Sequence, residues 1–135
     1  MHPSPVRSAA DAMSRFAISI SRPLTFETLA MYVDTSGFAG RTYTVPATVE
    51  PDLVLTVVET FAIAGAARPD LMGLAIASVR PGGGLLDGDH DRWFAMAALA
   101  EDSGLLLLDW FVIGMAGTIS PAAQLGLGSR WGLGG

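Results

Sequence analysis

Cysteine is absent from this chain of 135 residues, which excludes disulfide stapling, thiolate metal sites and a thiol nucleophile together. Lysine is absent as well, since all eight basic residues are arginine. That removes a phosphate-cradling Walker loop, which needs its lysine, and reads as the signature of a GC-rich genome. Imidazole is scarce, with His2 and His90 the two histidines. Positive charge is in deficit: the formal net charge is −5, so the basic footprint that grips a phosphate backbone is missing and no nucleic-acid partner is expected. Long hydrophobic runs are lacking too. The longest apolar block, residues 105–113, is interrupted by Asp109 and falls well short of the roughly 20 residues of a spanning helix. No membrane association is expected. With no apolar stretch between Arg7 and Asp11 to serve as a secretory signal, the cytoplasm is the expected compartment.

What the chain does have is apolar mass. Half of its residues are hydrophobic and 16% are charged, a balance that supports a buried core and differs from that of disordered chains. Single domains most often run to roughly 100–150 residues, which predicts one domain over residues 15–125. Residues 1–14, rich in Ser, Pro and Ala without a sustained period, read as a flexible N-terminal tail. The glycine-rich residues 126–135 read as a frayed C-terminal one.

The run Phe16-Ala17-Ile18-Ser19-Ile20 alternates and predicts a short strand ended by Arg22-Pro23. Residues 28–33 and 41–45 predict a hairpin turned by Asp34-Thr35-Ser36-Gly37. Pro51 and Asp52 open a helix. In it Leu53, Val54, Val57, Val58, Phe61, Ala64 and Gly65 recur at three- and four-residue spacing as a core-facing stripe, while Glu59, near Thr56 and Thr60, falls on the solvated side. Residues 71–79 are nearly all apolar, as in a central strand covered on both faces. After a loop with Pro81 and three glycines, residues 89–103 predict a second helix, its acidic residues placed where the dipole favours them and Gly104 at the C-terminal cap. Residues 105–113 predict a further buried strand and residues 118–120 an edge strand. The expected fold class is α/β, a mixed β-sheet with flanking helices.

The loop after the central strand carries a resemblance. Residues 78–92 read Ser-Val-Arg-Pro-Gly-Gly-Gly-Leu-Leu-Asp-Gly-Asp-His-Asp-Arg. Without a gap they match the run His-Asn-His-Pro-Ser-Gly-Asp-Pro-x-Pro-Ser-x-x-Asp-Arg of RadC-like JAB/MPN domains. Residues 98–106 and the run Leu108-Asp109-Trp110-Phe111-Val112-Ile113-Gly114 look like that family's helix end and following strand. Upstream, residues 29–35, residues 47–49 and the helix from Pro51 follow the family's order. From residue 24 to residue 125 the chain thus resembles a degenerate member of the RadC-like JAB/MPN family. The resemblance implies a JAB/MPN-like, cytidine-deaminase-like architecture. In that family two histidines and an aspartate hold zinc, a loop serine stabilises the developing oxyanion and a glutamate early in the fold activates water.

Carried over by this resemblance, the histidine positions are Ser78 and Arg80, the serine position is Gly88, and the aspartate is retained as Asp91. Glu27 most nearly corresponds to the glutamate, but counting back from Asp34 leaves it one residue out of register, which in a strand changes the face. A serine hydroxyl is a poor zinc ligand and a permanently protonated guanidinium repels a dication. No metal and no other cofactor is therefore expected, and hydrolysis of the family type is expected to be absent.

Several residues admit two readings. Arg80 facing Asp91 is a binding pair for an anionic ligand, or a salt bridge that ties loop to helix where the metal would be. His90, between Asp89 and Asp91, is a general base or an exposed residue of the first helical turn. Gly82-Gly83-Gly84 reads as a flexible loop. Asp109, inside an apolar strand, must be hydrogen-bonded to be buried; it caps a neighbouring loop or ends one sheet face. Trp93 and Phe94 read as core, and an exposed pair of Trp110 and Trp131 would mark a partner surface. The expected function is a non-catalytic interaction or scaffold module that binds a protein partner or a second copy of itself. The alternative is a small-ligand binder or metal-independent hydrolase in a remodelled pocket around Arg80 and Asp91, with Arg80 holding an anionic group and Asp91 or Glu27 in an acid–base role.

Overall fold

Runs of small and β-branched apolar residues build a six-stranded sheet, and the structure, a computed structural model, describes residues 4–131 of the chain. The elements are β1 (Ser4–Pro5), α1 (Ala9–Ser19), β2 (Glu27–Asp34), β3 (Phe38–Pro46), α2 (Leu53–Gly65), β4 (Leu71–Val79), α3 (Asp89–Asp102), β5 (Leu106–Gly114), β6 (Gly117–Ile119) and α4 (Pro121–Gln124). They order as β1-β3-β2-β4-β5-β6. All neighbours are antiparallel except β4 and β5, which run parallel across the α3 crossover. The molecule is an α/β protein with a mixed sheet, and the strand over residues 71–79 lies between β2 and β5 as expected.

Alternation along the central strands sends side chains to two separate cores. Ala30, Leu74, Ile76, Trp110 and Val112 pack with Val54, Val58, Trp93 and Met96 of α2 and α3. Leu29, Met31, Ala75, Ala77, Val79, Phe111 and Ile113 pack on the other side with Val6, Ala12, Phe16 and Ile20. Residues 27 and 79 are opposite one another, as are 28 and 78, so Glu27 lies on the α1 face and Thr28 on the α2/α3 face with Ser78.

Of the strand expected over residues 16–20, residues 16–19 are instead the last turn of α1 and Ile20 is its C-cap, and residues 4–14, expected as tail, belong to the fold. Ala12, Phe16 and Ile20 recur every four residues and are buried, while Ile18, which alternation would bury, is 84% exposed. Phe16 meets Phe111 edge-on at 6.2 Å between ring centroids. The helix start is written in Ser8-Ala9-Ala10-Asp11: the N-cap Ser8 Oγ accepts the Asp11 N–H at 3.1 Å, and Asp11 Oδ2 accepts the N–H of the preceding Arg7 at 3.0 Å, an N-terminal cap close to a capping box. Residues 1–3 and 132–135 of the expected tails lie outside the described residues. Residues 126–131 are tied back: Arg130 Nη1 donates to the Leu107 carbonyl and Trp131 Nε1 to Asp109 Oδ2. Trp110 is fully buried, so it forms no exposed pair with Trp131. Phe94, expected in the core, is exposed, whereas Trp93 is buried. The triple-glycine loop packs backbone to backbone on the end of β5. A Cβ on Gly114 would sit 2.2 Å from the Gly83 Cα, so that position admits glycine alone.

Candidate functional site

The chemistry-bearing residues of the loop after β4 converge on Arg80. It is 8% exposed, and its guanidinium is forked on Asp89, which is 1% exposed. Nη1 donates to Oδ2 at 2.6 Å and Nη2 to Oδ1 at 3.0 Å. The Leu86 N–H donates to Oδ2 at 2.7 Å and Arg92 Nη1 to Oδ1 at 2.9 Å. Each carboxylate oxygen thus accepts two bonds, the full capacity of an ionised carboxylate. Burial alone would raise the Asp89 pKa, but the bonds from Arg80, Leu86 and Arg92 outweigh it and hold the carboxyl below its ordinary range. Arg92 extends the network to Asp52 in the residue before α2 at 2.8 Å. Above the pair, the Arg80 guanidinium lies 5.7 Å from the centre of the Trp110 ring, whose Nε1 donates to Ser78 Oγ at 3.0 Å.

Arg80 therefore pairs with Asp89 and not with Asp91, correcting the sequence expectation. Helical spacing explains it: residues 89, 93, 96 and 100 share one face, and all four are buried, while Asp91 is exposed on the other side. That spacing was available in the sequence and would have selected Asp89 and Arg92. Asp91 and the exposed His90 border an outer depression of about 460 Å³ formed by residues 85–91, which neither Ser78 nor Arg80 lines. Gly88, which the resemblance sets at a serine position, has φ +86°, and a Cβ there would meet Arg92 Nη1 at 3.3 Å. A side chain is thus disfavoured by both backbone and neighbour.

Glu27 does not join this group. It sits on the opposite face, where its carboxylate accepts the Ser21 N–H and hydroxyl, both at 2.8 Å, and pins the segment leading into β2. Thr28 takes the place facing Ser78, and its hydroxyl bonds Thr48 at 2.9 Å. Asp109 is also separate. Its register partner is Ala75, with Leu108 left over as a bulge residue, and Oδ1 accepts the Trp110 N–H at 2.9 Å and the Ser120 hydroxyl at 3.0 Å. Burial raises its pKa against those hydrogen bonds. Asp109 is a structural clamp joining β5 to the start of α4 and to Trp131.

The residues do not fit the zinc that the resemblance brings with it. Ser78 is engaged by Trp110, Arg80 brings a fixed positive charge, Glu27 is on the wrong face, and among the described residues no cluster of three His, Asp or Glu side chains could hold a metal ion. Between Thr28, Thr48, Ser78 and Arg80 the cavity is about 10 Å³, the room of about one water. A ligand pocket at Arg80 is thus closed. No protein-family model matches the sequence, and no curated protein is significantly similar to it. No helix among the described residues is long and apolar enough to cross a membrane.

Proposed function

We propose that the chain is a metal-free, non-catalytic RadC/JAB-like domain that works as a protein-interaction or scaffold module in the cytoplasm. One observation carries the reading: the guanidinium at the family's second histidine position is buried and forked on Asp89. A cross-link between the end of β4 and the start of α3 then stands where the resemblance puts a metal. The order of hairpin, α2, β4, α3 and β5 agrees with the order the resemblance implies. An interaction role draws on the apolar side chains exposed on α2, α3 and the loops leading into them, Val49, Leu53, Ile63, Leu86 and Phe94, which a partner would cover.

The test is metal analysis of the purified protein together with peptide and isopeptide cleavage assays, with and without a chelator. The expected result is substoichiometric zinc and no chelator-sensitive cleavage. Stoichiometric zinc held by the folded chain, or cleavage that a chelator abolishes, overturns the reading. Light scattering over a concentration series tests self-association, and a species that stays monomeric removes the second copy as the partner.

A further inference from the structure

An open, largely apolar cavity lies on the other side of the sheet from Arg80. Its volume is about 610 Å³, within the roughly 300–1,000 Å³ of small-molecule sites. Its walls are the second half of α1 (Met13, Ala17, Ile20), Leu24 in the segment before β2, and Ile113 with Met115 at the end of β5. Pro81, just after β4, and Gly114 at the carboxyl end of β5 line it as well. The walls are apolar with one charged exception, Arg22.

Arg22 also differs from every other arginine of the chain. Among the described residues Arg7, Arg15, Arg41, Arg68, Arg80, Arg92 and Arg130 each make a hydrogen bond, ion pair or ring contact. Arg22 makes none. Its segment is nevertheless held in place, because the neighbouring Ser21 is bonded through backbone and hydroxyl to the buried Glu27 carboxylate. An exposed cation without a protein partner at the edge of an apolar cavity suits a ligand with an apolar body and one anionic head. The chain's net charge of −5 opposes anions in general, so any preference for one must come from this residue.

We propose that this cavity binds a small amphipathic carboxylate, its apolar chain against Met13, Ile20, Leu24 and Ile113 and its carboxylate on the Arg22 guanidinium. The site is independent of the Arg80 network and of the scaffold reading.

The experiment is isothermal titration of the full chain with decanoate, octanoate and the uncharged decanol. Decanoate is expected to bind about tenfold more tightly than decanol, as one partly exposed charged hydrogen-bonded pair would give. It should also bind more tightly than octanoate by about fourfold per methylene buried. Arg22→Gln should bring decanoate to the decanol level while leaving decanol unchanged, and Ala17→Phe should weaken both ligands by filling the cavity. Both positions are exposed, and unchanged urea midpoints check that each variant folds. Equal affinity for decanoate and decanol overturns the proposal. So do a decanoate-to-decanol ratio unmoved by Arg22→Gln, affinities unmoved by Ala17→Phe, and no binding of either ligand at millimolar concentration.

Discussion

Replacing Arg80 by methionine keeps most of the side-chain volume and removes the charge. The carboxylate of Asp89 would then stay 1% exposed with the Leu86 N–H and Arg92 as its remaining donors. Breaking one partner out of a buried pair costs roughly 3–5 kcal/mol. Because Arg92 still supplies one charged bond at 2.9 Å, we expect the low end, about 3 kcal/mol. Arg68→Met is the internal control: its pair with Asp70 joins the same kinds of group through a single contact at 3.1 Å, with side chains 55% and 57% exposed, where pairs contribute about 0–1 kcal/mol. Urea unfolding followed by tryptophan fluorescence reads both, since Trp93 and Trp110 are buried near the network.

The pH dependence gives a second, independent readout. In the native protein the Asp89 pKa is lowered. Its contribution is therefore present above the unfolded value of about 3.9 and is lost as pH falls through the folded pKa. Without Arg80 the burial that raises this pKa is less opposed, so the folded carboxyl takes up its proton more readily. The deficit of Arg80→Met should thus be largest near neutral pH and shrink as the pH is lowered toward 4 and below. Adding Asp89→Asn should recover at least about 1.5 kcal/mol relative to additivity, within the range of contacting pairs. A deficit under about 0.5 kcal/mol, or one independent of both pH and Asp89→Asn, would refute the reasoning.

Three further outcomes follow from the same geometry. Phe16→Ala should destabilise by about 3–5 kcal/mol and Ile18→Ala by less than about 0.5 in the same urea assay, whereas a strand over these residues would give both positions similar costs. Gly88→Ala should cost about 1–2 kcal/mol for its left-handed backbone, and Gly88→Ser should cost no less, since the hydroxyl enters the space of Arg92. Asp109 has the opposite sign to Asp89: its raised pKa gives stability below the unfolded value of about 3.9 that is lost as pH rises through the folded pKa. Asp109→Asn, compared with the native chain by thermal melts from pH 3 to 8, should therefore show a flatter profile in that upper window; parallel curves would count against a buried, raised carboxyl.

How much of this was legible in the sequence depends on which force set each element. The strand over residues 71–79 and the helices over residues 53–65 and 89–102 are marked by long apolar runs or stripes, and burial of those runs fixes them. Residues 16–20 alternate by chance, whereas the helix over residues 9–19 is written in the cap at Ser8 and in the four-residue spacing of Ala12, Phe16 and Ile20. A strand pattern of five residues is weaker than a helix signal of three turns with a cap. At the candidate site, Ser78, Arg80 and Gly88 do lie along one loop and its approaches. Asp91 was carried over from the resemblance alone, and the helical face of α3 selects Asp89. The large cavity left no trace in sequence, because its walls come from α1, the segment before β2 and the end of β5, which only the sheet brings together.

The face occupied by Glu27 permits the sharpest discrimination between a relic active site and two separate structures. If Glu27 still belonged to a site with Arg80, removing both would be non-additive, as for any pair that shares partners. The register argues otherwise: Glu27 is opposite Val79, not Ser78, and its bonds go to Ser21. Glu27→Ala should cost about 1–3 kcal/mol through the unpaired Ser21 groups and the lost packing. Combined with Arg80→Met, the two should add within about 0.5 kcal/mol. A coupling energy above about 1 kcal/mol would place both groups in one network and sink the assignment of opposite faces. Because Ser21 is next to Arg22, the same Glu27→Ala change should reduce the preference for decanoate over decanol, whereas Arg80→Met should leave it untouched.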